Sequence, residues 1–233
     1  MLSAKDLARE LSSYADNEKA ALLRRFFKTG KGEYGEGDTF LGIVVPAQRR
    51  IAKKYLHLNC NDLMPLLKSK IHEYRFSVLV ILVEKYRHGT KKEKETIAKF
   101  YLRNRQHINN WDLVDTSTPQ IIGDYLLTHD THILSTLARS RNLWDRRIAV
   151  LATFPFIKEG RYTETTHVAQ LLLADTHDLI HKAVGWALRE VGKKSLQTEE
   201  AFLKKYAHCM PRTMLRYAIE RFPLHKRVKY LNI

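Results

Sequence analysis

The chain has 233 residues, 44% of them hydrophobic, and its 40 Lys and Arg residues outnumber 25 Asp and Glu residues to give a formal net charge of +15. This apolar content excludes intrinsic disorder, and the 10 Gly and 6 Pro residues are too few for a turn-rich β-sandwich. The composition therefore favours a basic, globular, all-α protein of one or two domains.

The sequence also argues against membrane insertion and export. A membrane-spanning helix needs ~18 or more consecutive apolar residues, whereas the richest apolar run, 78–83, ends at Glu84. The N-terminal residues are charged and contain no apolar signal-peptide core. Cys60 and Cys209 stand alone, without the spacing of a disulfide framework or a zinc site. We expect a cytoplasmic protein that holds no metal.

Apolar residues recur at helical spacing along almost the whole chain, which predicts about a dozen helices. The clearest helix starts are Asp16 before 17–27, the capping box of Thr90 and Glu93, Asn142 before 143–157, and Thr163 before the following helix. The one long irregular segment, 28–46, contains five of the ten glycines. No segment has a competing strand pattern, so the expected fold class is all-α.

A repeat becomes visible when the helical segments are compared with one another. Four of them share a cation followed by a similar apolar pattern, at Arg75, Arg147, Lys182 and Arg216. The spacing leaves one position missing, occupied by Trp111, and the five positions are then separated by 36, 36, 35 and 34 residues. This period fits a pair of antiparallel helices, the unit of an α-solenoid in which each pair buries its apolar side against its neighbours.

The five positions would lie on the second helix of successive pairs, the helix that usually lines the concave surface of such a stack. Arg75, Arg147, Lys182 and Arg216 would then form a cationic stripe along a basic groove and bind phosphates. Two alternatives stay open for these cations: solvated surface residues, or arginines that cap backbone carbonyl groups.

Residues at the centre of the array depart from the pattern of a cation followed by an aliphatic residue. Positions four apart share a helical face, and the sequence has Asp115 after Trp111 and Trp186 after Lys182. Neighbouring helices pack ~8–10 Å apart, so these side chains and Arg147 would converge on one small group. The alternatives are structural: core tryptophans, a capping or ion-paired Asp115, and an ion-paired Arg147.

The chemistry of these groups favours a cationic partner attached to a polyanion. Aromatic faces and a carboxylate stabilise positive charge, and a guanidinium beside a positive groove holds phosphate. Nucleic acid fits this combination best, and a sugar oxocarbenium ion is a species of the required charge.

Two further motifs are weaker. Residues 30–35 satisfy G-x-G-x-x-G, but no strand precedes them and Glu33 would repel a pyrophosphate. His177 and His181 are four residues apart, but no third ligand accompanies them. We therefore expect neither a dinucleotide site nor a metal site.

The central segments resemble the signature segments of the AlkD-like DNA glycosylases, a family of DNA alkylation repair enzymes. They are 110–115 (Asn-Trp-Asp-Leu-Val-Asp), 143–147 (Leu-Trp-Asp-Arg-Arg) and 185–190 (Gly-Trp-Ala-Leu-Arg-Glu). Residues 28–42 and 46–55 resemble the N-terminal part of the family, so the likeness covers nearly the whole chain.

The resemblance implies a single domain of HEAT-like helical repeats over 1–233 that binds duplex DNA and hydrolyses the glycosidic bond of N3- and N7-alkylated purines. It implies no metal and no cofactor, and a base that is not drawn into a pocket. By motif match, Trp111 and Trp186 contact the sugar, Asp115 is the catalytic carboxylate, and Arg147 is the groove arginine. We expect a monomer acting on DNA; the alternative is a non-catalytic helical-repeat module that binds nucleic acid or protein.

Overall fold

The computed structural model describes residues 2–232, and within this range the chain is helical without a β-strand. The first helices are α1 (Ala4–Ser12), α2 (Asn17–Phe26), α3 (Val45–Ala52), α4 (Cys60–Leu67), α5 (His72–His88), α6 (Lys91–Arg103) and α7 (Trp111–Thr118). The later helices are α8 (Asp124–Leu126), α9 (His132–Ala138), α10 (Leu143–Leu151), α11 (Phe154–Lys158), α12 (Thr163–Leu171), α13 (Asp178–Lys194), α14 (Leu196–Tyr206), α15 (Arg212–Ala218) and α16 (Leu224–Leu231). The predicted all-α fold class is confirmed.

Side-chain caps account for several helix starts. Asp16 accepts a hydrogen bond from the backbone N–H of Lys19 at the start of α2. Thr90 and Glu93 form a capping box at the start of α6, and the side chain of Asn142 caps α10. These are three of the four starts predicted from sequence, and they were predictable because a cap depends on residues only two or three positions apart.

Two predicted boundaries are wrong. The helix expected over 143–157 is two helices, α10 and α11, separated by residues 152–153. Pro155 explains the break, because proline has no N–H and its ring collides with the carbonyl group four residues earlier. At α12, Thr163 is the first helical residue and not the cap.

The chain forms two compact units, residues 1–121 and 122–233. In the first unit, α5 packs against α3, α4 and α7. In the second unit, α10 packs against α9 and α13, and α13 packs against α14 and α15. Helices that carry the predicted repeat positions are therefore neighbours within each unit, as expected of repeated helix pairs. That the whole chain acts as one functional domain stays a prediction.

The buried Glu73 of α5 fixes the irregular segment between α2 and α3. Its carboxylate accepts hydrogen bonds from the backbone N–H groups of Leu41, Gly42 and Ile43 at 2.8–3.3 Å. Gly42 has a φ of +87°, and a Cβ atom there would collide with the backbone of Asp16. Glycine is required at this position because the segment passes so close to α2.

Over residues 2–232, none of the helices combines the length and the apolar character needed to cross a lipid bilayer.

Candidate active site

The helix α7 carries two of the predicted site residues on one face. Its residues Leu113 and Val114 are buried, whereas Trp111 and Asp115, one turn apart, are half-buried. Asn110 caps the helix by accepting a hydrogen bond from the N–H of Trp111 at 2.8 Å. The helical period therefore places an indole ring and a carboxylate next to each other on the side of α7 that solvent reaches.

Aromatic residues at the end of α2 and after it hold the indole of Trp111. Phe27 stacks on this ring, with centroids 5.2 Å apart and planes inclined by 19°. Phe40 stacks on Phe27 at 5.1 Å and 18°, and Phe26 contacts Trp111 edge-on at 5.8 Å. Such aromatic pairs contribute about 0.5–1.5 kcal/mol each beyond the area that they bury. The indole is held in place by these contacts although it is only half-buried.

A buried polar network adjoins this aromatic cluster. His72 stacks on Phe40 at 4.6 Å, and its Nε2 and Nδ1 lie 2.8 Å from Asp112 and 3.3 Å from Asp38. Burial opposes the charged imidazole, but the hydrogen bonds to Asp112 and Asp38 raise the pKa of His72 above its ordinary value. Because Asp112 follows Trp111 directly, the network fixes the start of α7.

Arg75 belongs to the same network, and its burial there argues against the predicted contact with phosphate. The residue is 4% exposed, its Nη2 lies 2.7 Å from Asp38 Oδ2, and its Nη1 donates to Asn109 Oδ1 at 2.8 Å. Burial opposes ionisation of Asp38, yet the bonds from His72 and Arg75 hold the pKa of this carboxyl below its usual value. A guanidinium this deep is tolerated because it is paired, and so it ties structural elements together.

Asp115 lies near a buried set of hydroxyl groups. The phenol oxygen of Tyr101 lies 3.0 Å from Ser117 Oγ and 2.7 Å from Thr118 Oγ1. Burial raises the pKa of Tyr101 to about 12, the hydrogen bonds oppose the shift, and the negative charge of Asp115 adds to it. Tyr101 therefore stays neutral, while Asp112 on the same helix is bound to His72. Asp115 is the second carboxylate of α7 and lies one turn after Trp111.

In the second unit, Arg147 lies on α10 and is 6% exposed. Its Nη1 donates to the carbonyl oxygen of Leu179 at 2.7 Å, which is the carbonyl-capping arrangement left open by the sequence. The preceding Arg146 binds Asp175, with Nε 2.6 Å from Oδ2. Both arginines tie α10 to the beginning of α13.

Trp186 lies one turn after Lys182 on α13, and both residues are half-buried. The indole Nε1–H donates to Glu190 Oε1 at 3.2 Å, and Phe154 contacts the ring at 4.6 Å between centroids, with planes inclined by 66°. The Nζ atom of Lys182 lies 2.7 Å from Asp178 Oδ2. The face of α13 thus carries an aromatic ring and a cation.

The four predicted phosphate contacts differ in exposure. Arg216 on α15 is exposed and forms no ion pair with any residue from 2 to 232, and Lys182 is partly exposed. Arg75 and Arg147 are buried. The cationic surface among these positions is therefore provided by Lys182 and Arg216.

The three tryptophans differ in burial. Trp144 is 7% exposed and belongs to the core, whereas Trp111 and Trp186 are half-buried. Trp111 and Trp186 are thus less buried than a core tryptophan, although Trp111 packs against the core cluster that contains Phe27 and Phe40.

In the glycine-rich segment, glutamate side chains accept hydrogen bonds from backbone N–H groups of the same segment. The N–H of Gly30 donates to Glu33 Oε2 and the N–H of Gly32 donates to Glu36 Oε2, both at 2.8 Å. Backbone N–H groups that would cradle a phosphate are thus already bound to negative side chains.

His177, the N-cap residue of α13, and His181 within this helix both form hydrogen bonds with backbone groups. His177 Nδ1 accepts from the N–H of Leu179 at 3.1 Å, and His181 Nε2 lies 2.5 Å from the carbonyl oxygen of Asp175. Among residues 2–232, no three or more His, Cys, Asp or Glu side chains are grouped as metal ligands would be.

Sequence reasoning missed the residues that hold Trp111. Phe26 is 62% exposed at the end of α2, beside the exposed Arg24 and Arg25, and Phe27 is buried. The available signal was the pair of aromatic residues directly after two cations. Their contact with Trp111 depends on packing between segments far apart in the chain, which no local pattern indicates.

The comparisons with known proteins agree with this structure. The sequence profile of a family described as DNA alkylation repair enzyme matches residues 7–222. The chain belongs to this family. Among solved structures, a predicted DNA alkylation repair enzyme from Enterococcus faecalis is similar, with a TM-score of 0.71, 18% identity, and coverage of 90% of this chain and 97% of that chain. That likeness shows the fold, and no curated protein sequence matches the chain.

Membership of the DNA alkylation repair enzyme family confirms the resemblance seen in the central segments and gives the protein a role in alkylation repair. Trp111, Asp115, Arg147 and Trp186 all lie inside the matched region. Their individual roles stay predictions.

Proposed function

We propose that this DNA alkylation repair enzyme is a monofunctional DNA glycosylase that hydrolyses the N-glycosidic bond of N3- and N7-alkylated purines in duplex DNA. The observation that carries the proposal is the outer face of α7, where Trp111, held by Phe27, stands one turn from Asp115. An aromatic face and a carboxylate stabilise positive charge without needing a metal or a cofactor.

The substrate supplies part of the driving force. An N7-alkylguanine or N3-alkyladenine is cationic in DNA, so the base departs as a neutral molecule and needs no general acid. The remaining requirement is to stabilise positive charge on the deoxyribose as the bond breaks. Asp115 supplies an opposite charge, and each tryptophan face contributes roughly 0.5–2 kcal/mol of cation–π attraction.

Hydrolysis then completes at the anomeric carbon. The electrons of the C1′–N bond leave with the base, and a water oxygen forms the new bond to C1′. Asp115 orients this water and accepts its proton. No lysine attacks the sugar, so the product is an abasic site in an uncut strand.

Residues of α13 and α15 have further proposed roles, which follow from the resemblance and from their exposure. Trp186 takes the role of the second sugar-contacting tryptophan, and Lys182 and Arg216 bind phosphates. Arg147 keeps the role of groove arginine that the resemblance implies. Arg147 is 6% exposed and donates to the carbonyl oxygen of Leu179. Its proposed role is therefore to position α13 as well as to contact phosphate.

A single-turnover assay tests the proposal directly. Purified protein in excess is incubated with a duplex that contains one N7-methylguanine, and released base and abasic sites are quantified separately. Matched duplexes with uracil or an undamaged guanine serve as controls. We expect release of N7-methylguanine, accumulation of abasic sites without strand cleavage, and no release of uracil. Binding to the duplex without release of base would instead identify a non-catalytic DNA-binding module.

A further inference from the structure

The indole of Trp186 has a hydrogen-bond partner on its own helix, to which the proposed reaction gives no role. Trp186 and Glu190 lie one turn apart on α13, and the indole Nε1–H donates to Glu190 Oε1 at 3.2 Å. Residues four apart share a face of a helix, and the N–H is the only hydrogen-bonding group of an indole. Glu190 is therefore the side chain that meets the polar edge of this ring.

Two cations approach the same oxygen atom of Glu190. The Nζ atom of Lys193 lies 2.6 Å from Oε1, and the Nε atom of Arg189 lies 3.8 Å from it. The side chain of Arg189 is 17% exposed and is itself ion-paired with Glu220. Because both cations attract the carboxylate, it is held beside the indole.

An aromatic contact restrains the same indole from another direction. Phe154 contacts the ring at 4.6 Å between centroids, with planes inclined by 66°. A contact between two rings is only weakly directional, whereas a hydrogen bond acts on one atom along one direction. The contact with Phe154 and the bond to Glu190 together define one orientation of the indole face.

The bond to a carboxylate also affects the charge distribution of the indole. Hydrogen bonds to ionised acceptors are stronger than those between neutral groups, and hydrogen-bonded groups polarise one another. Donation of the N–H to Glu190 therefore shifts electron density onto the ring. The negative face of an aromatic ring is the part that attracts a cation, so this shift strengthens its attraction.

We infer that Glu190 is a positioning residue: it sets the orientation and the charge distribution of the Trp186 indole, and through this ring it accelerates base excision. The effect on excision rests on the proposed glycosylase activity, whereas the effect on the indole does not. In a merely structural role, Glu190 would stabilise α13 through its ion pair with Lys193 and would leave the indole unchanged.

Three variants separate these roles. Glu190→Met removes the acceptor and the charge, and Glu190→Gln keeps a neutral acceptor of the same size. The matched control is Glu84→Met on α5, because Glu84 is also ion-paired with a cation three residues later, and its side chain is 20% exposed against 25% for Glu190. Each variant is compared with wild type in single-turnover release of N7-methylguanine with protein in saturating excess. Thermal unfolding and DNA affinity are measured alongside.

Loss of one tryptophan face corresponds to a roughly 2- to 30-fold lower rate, so Glu190→Met should slow base release by about 3- to 10-fold. It should not weaken DNA binding, because it removes a negative charge. Since a bond to an ionised acceptor is roughly twice as strong as one to a neutral acceptor, Glu190→Gln should slow release by only about twofold. Glu84→Met should release the base at the wild-type rate.

The indole N–H signals of the full-length protein without DNA give a second, independent measurement. The signal of Trp186 is identified by its loss in Trp186→Phe. It should move upfield in Glu190→Met, move less in Glu190→Gln, and stay in place in Glu84→Met.

Wild-type excision by Glu190→Met, equal slowing by Glu84→Met, or an unchanged Trp186 signal in Glu190→Met would each overturn the inference. If Glu190→Met does not fold, Glu190→Gln decides by the same two measurements. A wild-type protein that releases no base would refute the proposed glycosylase activity, and the Trp186 signal would then decide alone whether Glu190 positions the indole.

Discussion

At the scale of single residues, burial decides what a charged or aromatic side chain does. Arg75 and Arg216 occupy equivalent positions in the repeat, but Arg75 is buried against Asp38 and Arg216 is exposed. A buried guanidinium must be paired with a charge of opposite sign, whereas an exposed one can meet a phosphate. The same contrast separates the buried Trp144 from the half-buried Trp186.

The variant Asp115→Asn tests the proposed catalytic carboxylate. It keeps the shape and removes the charge that would stabilise the cationic sugar, so excision of N7-methylguanine should slow by roughly 100- to 1,000-fold in single-turnover assays. DNA affinity should stay the same or rise slightly, because the variant has one negative charge fewer near the phosphates.

The control for Asp115→Asn is Glu159→Gln, which removes one negative charge from an exposed position of the second unit. It should excise the base at the wild-type rate. Near-wild-type excision by Asp115→Asn, or efficient release of uracil by the wild-type protein, would contradict the mechanism.

Glu199 gives a prediction for the pH dependence of stability. Burial raises the pKa of Glu199 to about 8, with Glu200 adding to the shift and Arg189 opposing it. Between the unfolded value near 4.5 and about 8, the unfolded chain loses this proton while the folded protein keeps it, which destabilises the fold increasingly as pH rises. Each unit of such a shift corresponds to ~1.4 kcal/mol. Glu199→Gln should therefore gain free energy of unfolding relative to wild type between about pH 5 and pH 8.5, measured by urea denaturation.

The neighbouring variant Glu200→Gln is the control and should behave in the opposite way. The hydrogen bond to Lys226 lowers the pKa of Glu200, so this carboxylate stabilises the fold above its unfolded pKa and the stabilisation disappears as pH falls. A stability difference between Glu199→Gln and wild type that does not change with pH would refute the assignment of a raised pKa.

At the scale of helices, one close contact stands out in the second unit. A Cβ atom on Gly185 of α13 would collide with the carbonyl oxygen of Met214 and the Cβ atom of Tyr217, both on α15. Glycine in a helix interior is ordinarily unfavourable by ~1 kcal/mol relative to alanine. Its presence in α13 therefore has a packing cause, namely the short distance between the two helix backbones.

The variant Gly185→Ala tests this contact. Alanine would stabilise an isolated helix, but overpacking typically costs ~1–3 kcal/mol. We expect a lower thermal unfolding temperature for Gly185→Ala, and a larger decrease for Gly185→Val. A temperature equal to or above that of wild type would show that α13 and α15 can move apart without cost.

At the scale of the whole molecule, the net charge of +15 predicts that DNA binding depends strongly on salt concentration. Phosphate contacts release bound counterions, so the logarithm of the binding constant should fall by roughly 0.9 per phosphate for each unit of log salt concentration. Binding should be nearly independent of sequence, because phosphates are the same in every sequence.

Salt titrations of three variants test which cations touch phosphate. Lys182→Ala and Arg216→Ala should weaken binding and reduce the slope by about 1 for each phosphate that the variant no longer neutralises. Arg147→Ala should also weaken binding. Arg75→Ala is the control: it should lower stability and leave the slope unchanged, because its guanidinium is buried against Asp38. A binding constant that does not change with salt would exclude the proposed phosphate contacts.

Features set by local sequence were predictable. The caps at Asp16 and Thr90 depend on residues three positions apart, and the helical period alone places Trp111 and Asp115 on one face of α7. The repeat of 34 to 36 residues identified the helices that pack side by side within each unit. The shared face follows from ~3.6 residues per helical turn. Caps and repeats are likewise spacings that can be counted directly along the chain.

Only the tertiary structure decided which of these side chains are available to a ligand. The pairing of Arg75 with Asp38 and the stacking of Phe27 on Trp111 both depend on segments brought together by packing. Repeat position fixes the face of a helix but not what the next segment places against it. Burial and pairing depend on that neighbouring segment, and so the exposed cations and the support of Trp111 become apparent only once the helices are packed.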